Sequence, residues 1–322
     1  MNLVIIGASG HWHLAQSAAA LDPSVRVVSI APGRPEEDIS ALAAAFPEAR
    51  VHAGWRGAIA DDAPDCAVVN PWFCDAAGIS AACLARGLHV YSEKPLATTF
   101  ADLSMLENAW RGSGKALGGM FNYRFSPWFM AMESAVSAGE IGALRQIPAQ
   151  KSYRMGTRPD FDKSRATFGG IIPWVAIHAI DWAAALGGDC LWTSAAHSTC
   201  ENRNNGDMEA SSAILMGMEN GVIATVTADF FRPDGSARHD DDRLRLTGTR
   251  GMLEAVDGRV WLENESPRRE LALPAPRSAF LAFAAAIADG TADAFARQAL
   301  RATRIALCAR QSADEQGKRV SI

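Results

Sequence analysis

The sequence predicts an α/β protein. An N-terminal domain is built on a doubly wound parallel sheet, and an α+β domain with a large, mainly antiparallel open sheet follows. Three observations predict this. Short apolar runs alternate with helical segments through the first third of the chain, the pattern of a parallel sheet. A glycine-bearing turn, Gly7-Ala8-Ser9-Gly10, joins the first apolar run to the first helix. Beyond about residue 118 the chain changes to long strand-like segments with an alternating face.

In order, Leu3 to Ile6 reads as a strand, His13 to Leu21 as a helix and Val25 to Ile30 as a second strand. Glu36 to Phe46 places Ile39, Leu42, Ala43 and Phe46 at helical spacing. Cys66 to Val69 is a strand before Asn70-Pro71, and Asp75 to Ala85 is a helix closed by Gly87. A strand then runs through Val90 and Tyr91 until Pro95, which lacks an N–H and cannot extend a central ladder. Thr99 to Arg111 is a helix with a capping-box pattern at Thr99 and Asp102, and Lys115 to Phe121 is another strand.

Ser126-Pro127 opens a helix to about Ala138. Strands are expected at Gln146–Tyr153, Leu191–Thr199, Glu209–Met218, Val222–Phe230 and Arg243–Thr247, with Asn220-Gly221 as a hairpin turn. Phe280, Phe283, Ala284 and Ile287 form a helical stripe, and a longer helix ends near Gly317. The expected division is a dinucleotide-binding Rossmann domain over residues 1–118 and a substrate-binding and oligomerisation domain over 119–322, with the final helices able to return toward the first domain.

Composition narrows the function. Of 322 residues, 48% are hydrophobic and 21% charged, as in a soluble globular protein. The net charge of -5 leaves no basic footprint for nucleic acid. Six scattered cysteines without a C-x-x-C pair point to reduced thiols and a cytoplasmic location. The chain enters a strand at once, so no signal peptide is expected, and no apolar run is read as a membrane span.

The turn Gly7-Ala8-Ser9-Gly10-His11-Trp12 stands where a dinucleotide pyrophosphate meets helix N-terminal N–H groups. Its spacing is imperfect, because Ser9 and Trp12 occupy the second and third glycine places. Strand two ends Ile30-Ala31-Pro32-Gly33-Arg34, without the acid that reads an NAD ribose. Arg34 can meet a 2′-phosphate, which favours NADP over NAD. Glu93 and Lys94 fall at a strand's carboxyl end, where ligands bind in open α/β sheets. A lysine there can exchange protons with a hydroxyl or carbonyl oxygen. His178 and Asp181 share a helical face, so a proton shuttle is one reading and a core histidine the other. Lys151, Tyr153 and Arg154 end a strand and can bind hydroxyls or a carboxylate. His239 and Arg243 flank an acidic run before another strand. No spacing motif supports a metal site.

Together these residues resemble the glucose–fructose oxidoreductase/inositol dehydrogenase/MocA (Gfo/Idh/MocA) family. The likeness rests on Gly7–Gly10, Asn70-Pro71, Gly87-Leu88-His89-Val90-Tyr91-Ser92-Glu93-Lys94-Pro95-Leu96 and Asn122-Tyr123-Arg124-Phe125. It continues through Ala138–Gly142, the Gly169-to-Asp181 helix, Gly248-Thr249-Arg250-Gly251 and Gly317-Lys318. The resemblance implies NAD(P) held by Gly7–Trp12, Asn70, Pro71, Glu93 and Lys94, with a sheet domain covering the nicotinamide. It implies Lys94 at the reacting hydroxyl, His178 as acid/base, and Tyr123, Arg124, Lys151, Arg154, Trp174 and His239 near substrate.

One departure is plain: an Asp common in the family four residues before the histidine is here Trp174. Either Asp181 then orients His178 or Lys94 acts as the base, and Trp174 is a candidate wall for a sugar ring. The expected function is an NAD(P)-dependent oxidoreductase acting on a sugar, cyclitol or other polyol, assembled as a homodimer or homotetramer through its sheet. The alternatives are a glycoside-cleaving enzyme with retained NAD and a non-catalytic nucleotide-binding regulator.

Overall fold

Leu3, Val4, Ile5 and Ile6 are fully buried, so β1 (Asn2–Ile6) must lie inside its sheet with both faces covered. The structure is a computed structural model describing residues 1–322. It divides into two units: residues 1–121 with 278–303, and residues 122–277 with 304–322.

The first unit carries β1, β2 (Arg26–Ala31), β3 (Arg50–Val51), β4 (Cys66–Val69), β5 (His89–Ser92) and β6 (Leu117–Gly119). They form a parallel sheet in the order β3-β2-β1-β4-β5-β6, the doubly wound arrangement. Between them run α1 (His13–Leu21), α2 (Ser40–Ala45), α3 (Trp55–Asp61), α4 (Ala76–Ala85) and α5 (Phe100–Ser113). Thr99 caps α5 as expected, accepting the Asp102 N–H at 3.1 Å. The sequence reading passes over β3 and α3 because two residues and a short polar-edged helix carry little periodicity. The Glu36–Phe46 helix is shorter than expected, since only residues 40–45 are α-helical.

The second unit contains α6 (Pro127–Ser137), β7 (Leu144–Arg154), α7 (Arg165–Phe168) and α8 (Ile177–Gly187). Then come β8 (Cys190–Ser198), β9 (Ser211–Met218), β10 (Ile223–Arg232), β11 (Asp240–Gly248), β12 (Met252–Val256), β13 (Arg259–Glu263) and β14 (Arg269–Glu270). After α9 (Ala279–Ala288) of the first unit, α10 (Asp293–Asp314) begins in the first unit and ends in the second, where β15 (Val320–Ser321) closes the chain. The nine strands run β14-β13-β12-β11-β7-β10-β9-β8-β15. All pairs are antiparallel except β7 with β10. On β10, Ala224, Val226, Ala228 and Phe230 are buried while Ile223, Thr225 and Thr227 are exposed. That is the alternation expected of a half-covered sheet, with α8 against β7 and β10 on the covered side.

One expectation needs correction. The helix expected from Trp174 onward begins instead with a π-helical turn at Ile172–Ala176, which hands over to α8. One helical run, residues 165–187, is long and apolar enough to cross a membrane by length and composition, and 83% of its apolar window is buried. Such burial is what a core helix shows.

Candidate active site

The turn after β1 is forced to be glycine at its ends. Gly7 has φ +81°, and a Cβ there would lie 2.4 Å from the Asn70 carbonyl oxygen. Gly10 has φ +109°, and its Cβ would meet Glu93 Oε2 at 2.2 Å. Ser9 N–H donates to the Asn70 carbonyl at 2.8 Å. Trp12, in the third glycine place, turns its ring edge-on to Phe46 at 6.3 Å, packing on the core.

Two carboxylates fill this turn. Glu93, fully buried, accepts the His11 backbone N–H at 2.6 Å, and His11 Nδ1 lies 2.9–3.0 Å from its two oxygens. It also accepts the Lys94 N–H at 3.0 Å. Burial pushes the Glu93 carboxyl up, but the His11 charge and hydrogen bonds, with Lys94, hold it below the ordinary carboxylate range. Glu37 accepts the Ala8 N–H (2.9 Å), the Ser9 hydroxyl (3.1 Å) and the Gly33 N–H (2.8 Å). The turn's N–H groups are thus donors to anionic oxygens, here those of Glu93 and Glu37, whose place a dinucleotide phosphate would take. Beside it, Asn70 is buried with both side-chain amide atoms unpartnered. A cavity of about 520 Å³ lies past β2, lined by Pro32, Gly33, Arg34, His52, Trp55 and Arg56. These features fit a nicotinamide dinucleotide, with Ala8, His11, Asn70 and Glu37 as the residues that would hold it.

Arg34 does not stand open beside the turn. Its guanidinium is bound by the Asp75 carboxylate, with Nη2 to Oδ1 at 2.9 Å, and stacks over Trp72 at 4.6 Å. Glu37 is the acid that the sequence reading missed. It stands six residues past the strand end, where only the loop's return brings it to Gly33 and Ala8. Lys94 is buried, 1% exposed, at the end of β5, with a cis peptide to Pro95.

In the second unit, His178 is 1% exposed on α8. Tyr123 meets its ring edge-on at 4.8 Å and Trp182 at 5.6 Å. Asp181 is the partner of Arg124 here: Arg124 donates Nε to Oδ2 at 2.9 Å and Nη2 to Oδ1 at 3.1 Å. This bidentate ion pair ties α8 to the Asn122–Phe125 turn. Trp174 sits in the π-turn, edge-on to Phe168 at 6.5 Å. That turn is anchored by buried Glu209, whose Oε2 accepts the Ile171 N–H at 3.1 Å; no local sequence pattern announces it.

Lys151 is fully buried and donates to Asp242 Oδ2 at 2.5 Å. Its ammonium lies 3.7 Å from the centre of the Tyr123 ring and 4.9 Å from that of Tyr153. Burial lowers the ammonium to about 8, against the pull of Asp242, and raises the Asp242 carboxyl. His239 stacks on Tyr153 at 4.7 Å, and burial, with Arg158 and Arg154 nearby, lowers its imidazole. Arg154 donates to the Asp234 carbonyl at 3.3 Å. Arg243 is exposed and paired with Asp241, away from this cluster. Tyr123, Lys151 and His178 are brought together; Arg124 supports them through Asp181.

A doubly wound nucleotide-type unit joined to an open nine-stranded sheet, with Glu-Lys-Pro at a strand end, defines a class of two-unit oxidoreductase folds. The chain belongs to the Gfo/Idh/MocA family. Residues 129–254 match the family's GFO/IDH/MocA C-terminal domain. Over 234 residues it is 30% identical to inositol 2-dehydrogenase 2 of Saccharopolyspora erythraea, covering 70% of this chain and 66% of that protein. The other curated relatives are matched over 49% and 61% of their lengths, so the chain spans about half to two thirds of them. A solved structure from Thermotoga maritima, assigned only provisionally as an oxidoreductase, superposes with TM-score 0.96 at 37% identity over the whole of both chains. Levoglucosan dehydrogenase in complex with NADH shares the fold, with TM-score 0.85 at 20% identity over 100% of this chain and 99% of that one.

Proposed function

We propose that this protein is a nicotinamide-dinucleotide-dependent oxidoreductase acting on a hydroxyl or carbonyl of a sugar, cyclitol or related polyol. The observation that carries the reading is the glycine turn. Its N–H groups already hold two carboxylates, and the buried Asn70 amide beside it is unpartnered. A bound nicotinamide dinucleotide would supply the hydride acceptor or donor. Lys94 holds the substrate oxygen and the ribose. His178, edge-on to Tyr123, moves the hydroxyl proton, and Trp174 bounds the substrate. With the missing family Asp replaced by Trp174, His178 is placed by the Tyr123 ring, which also carries the Lys151 ammonium.

Between the two cofactors, Glu37 supports NAD. A carboxylate bonded to Gly33 N and Ala8 N can accept ribose hydroxyls and repels a 2′-phosphate, while Arg34 is neutralised by Asp75. The sequence reading favours NADP through Arg34; the pairing of Arg34 with Asp75 is what turns this proposal toward NAD. A homodimer or homotetramer through the sheet is the proposed assembly, because Leu191, Leu215, Ile223 and Phe231 are exposed on its strands. A cytoplasmic location fits six free cysteines, four of them buried.

The test is mass spectrometry of the denatured protein for a retained nucleotide, calorimetry with NAD and NADP, and turnover of a polyol panel. Absence of binding to either nucleotide at millimolar levels would sink the reading. Trp174 in the acid's place favours one second reading, a nucleotide-binding regulator, and binding without turnover of any polyol would select it.

A further inference from the structure

At the amino ends of β5 and β6, the sheet edge away from Glu93 and Lys94, the first unit holds a cavity of about 520 Å³. Trp110 and Ile287 give it an apolar side, and His89, Arg111, Lys115 and Arg297 a polar one. Open α/β sheets bind their ligands at the carboxyl edge, so the fold assigns this cavity nothing.

The tautomer of His89 is fixed by a bond that it accepts. Its Nδ1 lies 3.0 Å from the Ala116 backbone nitrogen. A backbone N–H can only donate, so Nδ1 carries the lone pair and Nε2 the hydrogen. Burial and Lys115 lower the imidazole, against the pull of Asp65, which keeps the ring neutral. His89 thus offers a neutral Nε2–H without a partner in the protein, on a half-buried ring in the cavity wall.

The cations come from two directions. Arg111 is held by Glu107, with Nη2 to Oε1 at 2.6 Å and Nε at 3.2 Å, and keeps Nη1 over. Arg297 has a loose contact to Asp293 at 3.8 Å, both side chains being exposed, and Lys115 has no ion pair. Three cations therefore line the cavity against one carboxylate, Asp293. The carbonyl end of α5 would by itself attract Arg111 and Lys115. It does not account for Arg297, which comes from α10, and its Trp110 carbonyl already accepts the Ser113 hydroxyl at 2.9 Å.

We propose that this cavity binds the dianionic head of a phosphate monoester. Lys115, Arg297 and Arg111 supply charge, His89 Nε2–H a directional donor, and Trp110 with Ile287 an apolar surface for the ester group. The charge count selects phosphate over carboxylate. A phosphate monoester carries about −1.5 to −2 at pH 7 on three strong acceptor oxygens, where a carboxylate carries a single charge on two. The volume is that of a site for a small organic molecule, more than inorganic phosphate would fill. The site lies at the other end of β5 from the glycine turn and does not rest on the oxidoreductase reading.

The chain has seven histidines. The experiment is a titration of the full-length protein labelled with 15N-histidine, followed through two-bond 1H–15N spectra that show the tautomer of each ring. His89→Asn, whose amide oxygen can take the Ala116 N–H, assigns the His89 signals, and a through-space contact to the Ala116 amide assigns them independently. His11, beside the glycine turn, reports phosphate that enters there instead. The probes are phenyl phosphate, inorganic phosphate and benzoate. His89 should show the Nε2–H tautomer. Phenyl phosphate should move its Nε2 signal saturably, inorganic phosphate should do so more weakly, and benzoate should bind about tenfold more weakly than phenyl phosphate or worse. Lys115→Met and Arg297→Met should each weaken phenyl phosphate about tenfold, as for loss of a charge-assisted hydrogen bond. Neither side chain is buried, and melting curves establish that the variants are folded.

The site is overturned if His89 shows the Nδ1–H tautomer, if no probe gives a saturable shift, or if benzoate binds as tightly as phenyl phosphate. An affinity unchanged in both Lys115→Met and Arg297→Met overturns it as well. A shift of His11 alone places the phosphate at the glycine turn and removes this site. Calorimetry with NAD tests the cofactor reading separately, and its failure would leave a saturable His89 shift standing.

Discussion

Glu93 Oε2 lies 2.6 Å from the backbone nitrogen of His11 and 2.9 Å from its Nδ1, so a fully buried carboxylate at the end of β5 closes the glycine turn after β1. His11 holds this carboxyl below its ordinary value of 4.5 despite burial. The folded protein therefore binds that proton less readily than the unfolded chain. Its stabilisation is fully present above the ordinary value and is lost as pH falls through the depressed one. Glu93→Gln should lower stability at neutral pH by about 1–3 kcal/mol and flatten the acid limb of a stability–pH curve. An acid limb as steep as that of the wild type would show that Glu93 does not titrate there.

Glu37 and Arg34 predict opposite results in calorimetry. Glu37→Ala should weaken NAD and improve NADP, shifting their affinity ratio about tenfold or more, as for loss of a charged hydrogen-bond acceptor and a like-charge repulsion. Arg34→Ala should leave the ratio unchanged, because its guanidinium is committed to Asp75. The reverse outcome would restore Arg34 as a phosphate reader.

Lys94→Ala should reduce kcat/KM by about two or more orders of magnitude, as for loss of a positioned proton donor. Since Lys94 is 1% exposed, Lys94→Met is the companion variant that keeps the side-chain volume. A folded Lys94→Met protein with near-normal turnover would refute the assignment.

His178→Ala should abolish turnover while nucleotide affinity, read in the first unit, stays within about twofold. Trp174→Asp should raise KM without raising kcat, because it removes an aromatic surface and places a carboxylate in a largely buried turn. Restored or increased kcat in Trp174→Asp would mean that the protein lacks only the family's usual acid. Retained kcat in His178→Ala would make the histidine a packing residue.

For the Lys151–Asp242 pair the sign runs the other way from an ordinary surface lysine. Its folded value, about 8, lies below the ordinary 10.5. The unfolded chain holds this proton more tightly through that interval, so stability should rise between pH 8 and 10.5. Lys151→Met should remove that rise and, by stranding Asp242, cost about 3–5 kcal/mol; Lys151→Met with Asp242→Leu should recover most of the loss. Thermal melts across this range measure both effects. An unchanged alkaline limb in Lys151→Met would rule out the lysine as its source.

The sequence by itself determined the local grammar of this protein. Leu3–Ile6 and Cys66–Val69 had to be buried parallel strands because they are apolar on both faces, and Val222–Phe230 had to be half-covered because it alternates. Pro95 placed Glu93 and Lys94 at a strand end, and Thr99 marked a helix start, through bonds that reach only a few residues. Tertiary structure decided what those side chains touch. Glu37 reaches Ala8 across 29 residues, Arg34 is taken by Asp75 across 41, Arg124 claims Asp181 across 57, and Lys151 meets Asp242 across 91. A local pattern fixes periodicity, because neighbouring residues share a backbone. The partner of a buried charge is fixed by which strands and turns the whole fold brings together, and a carboxylate can answer an N–H, a guanidinium or an ammonium equally well until that choice is made.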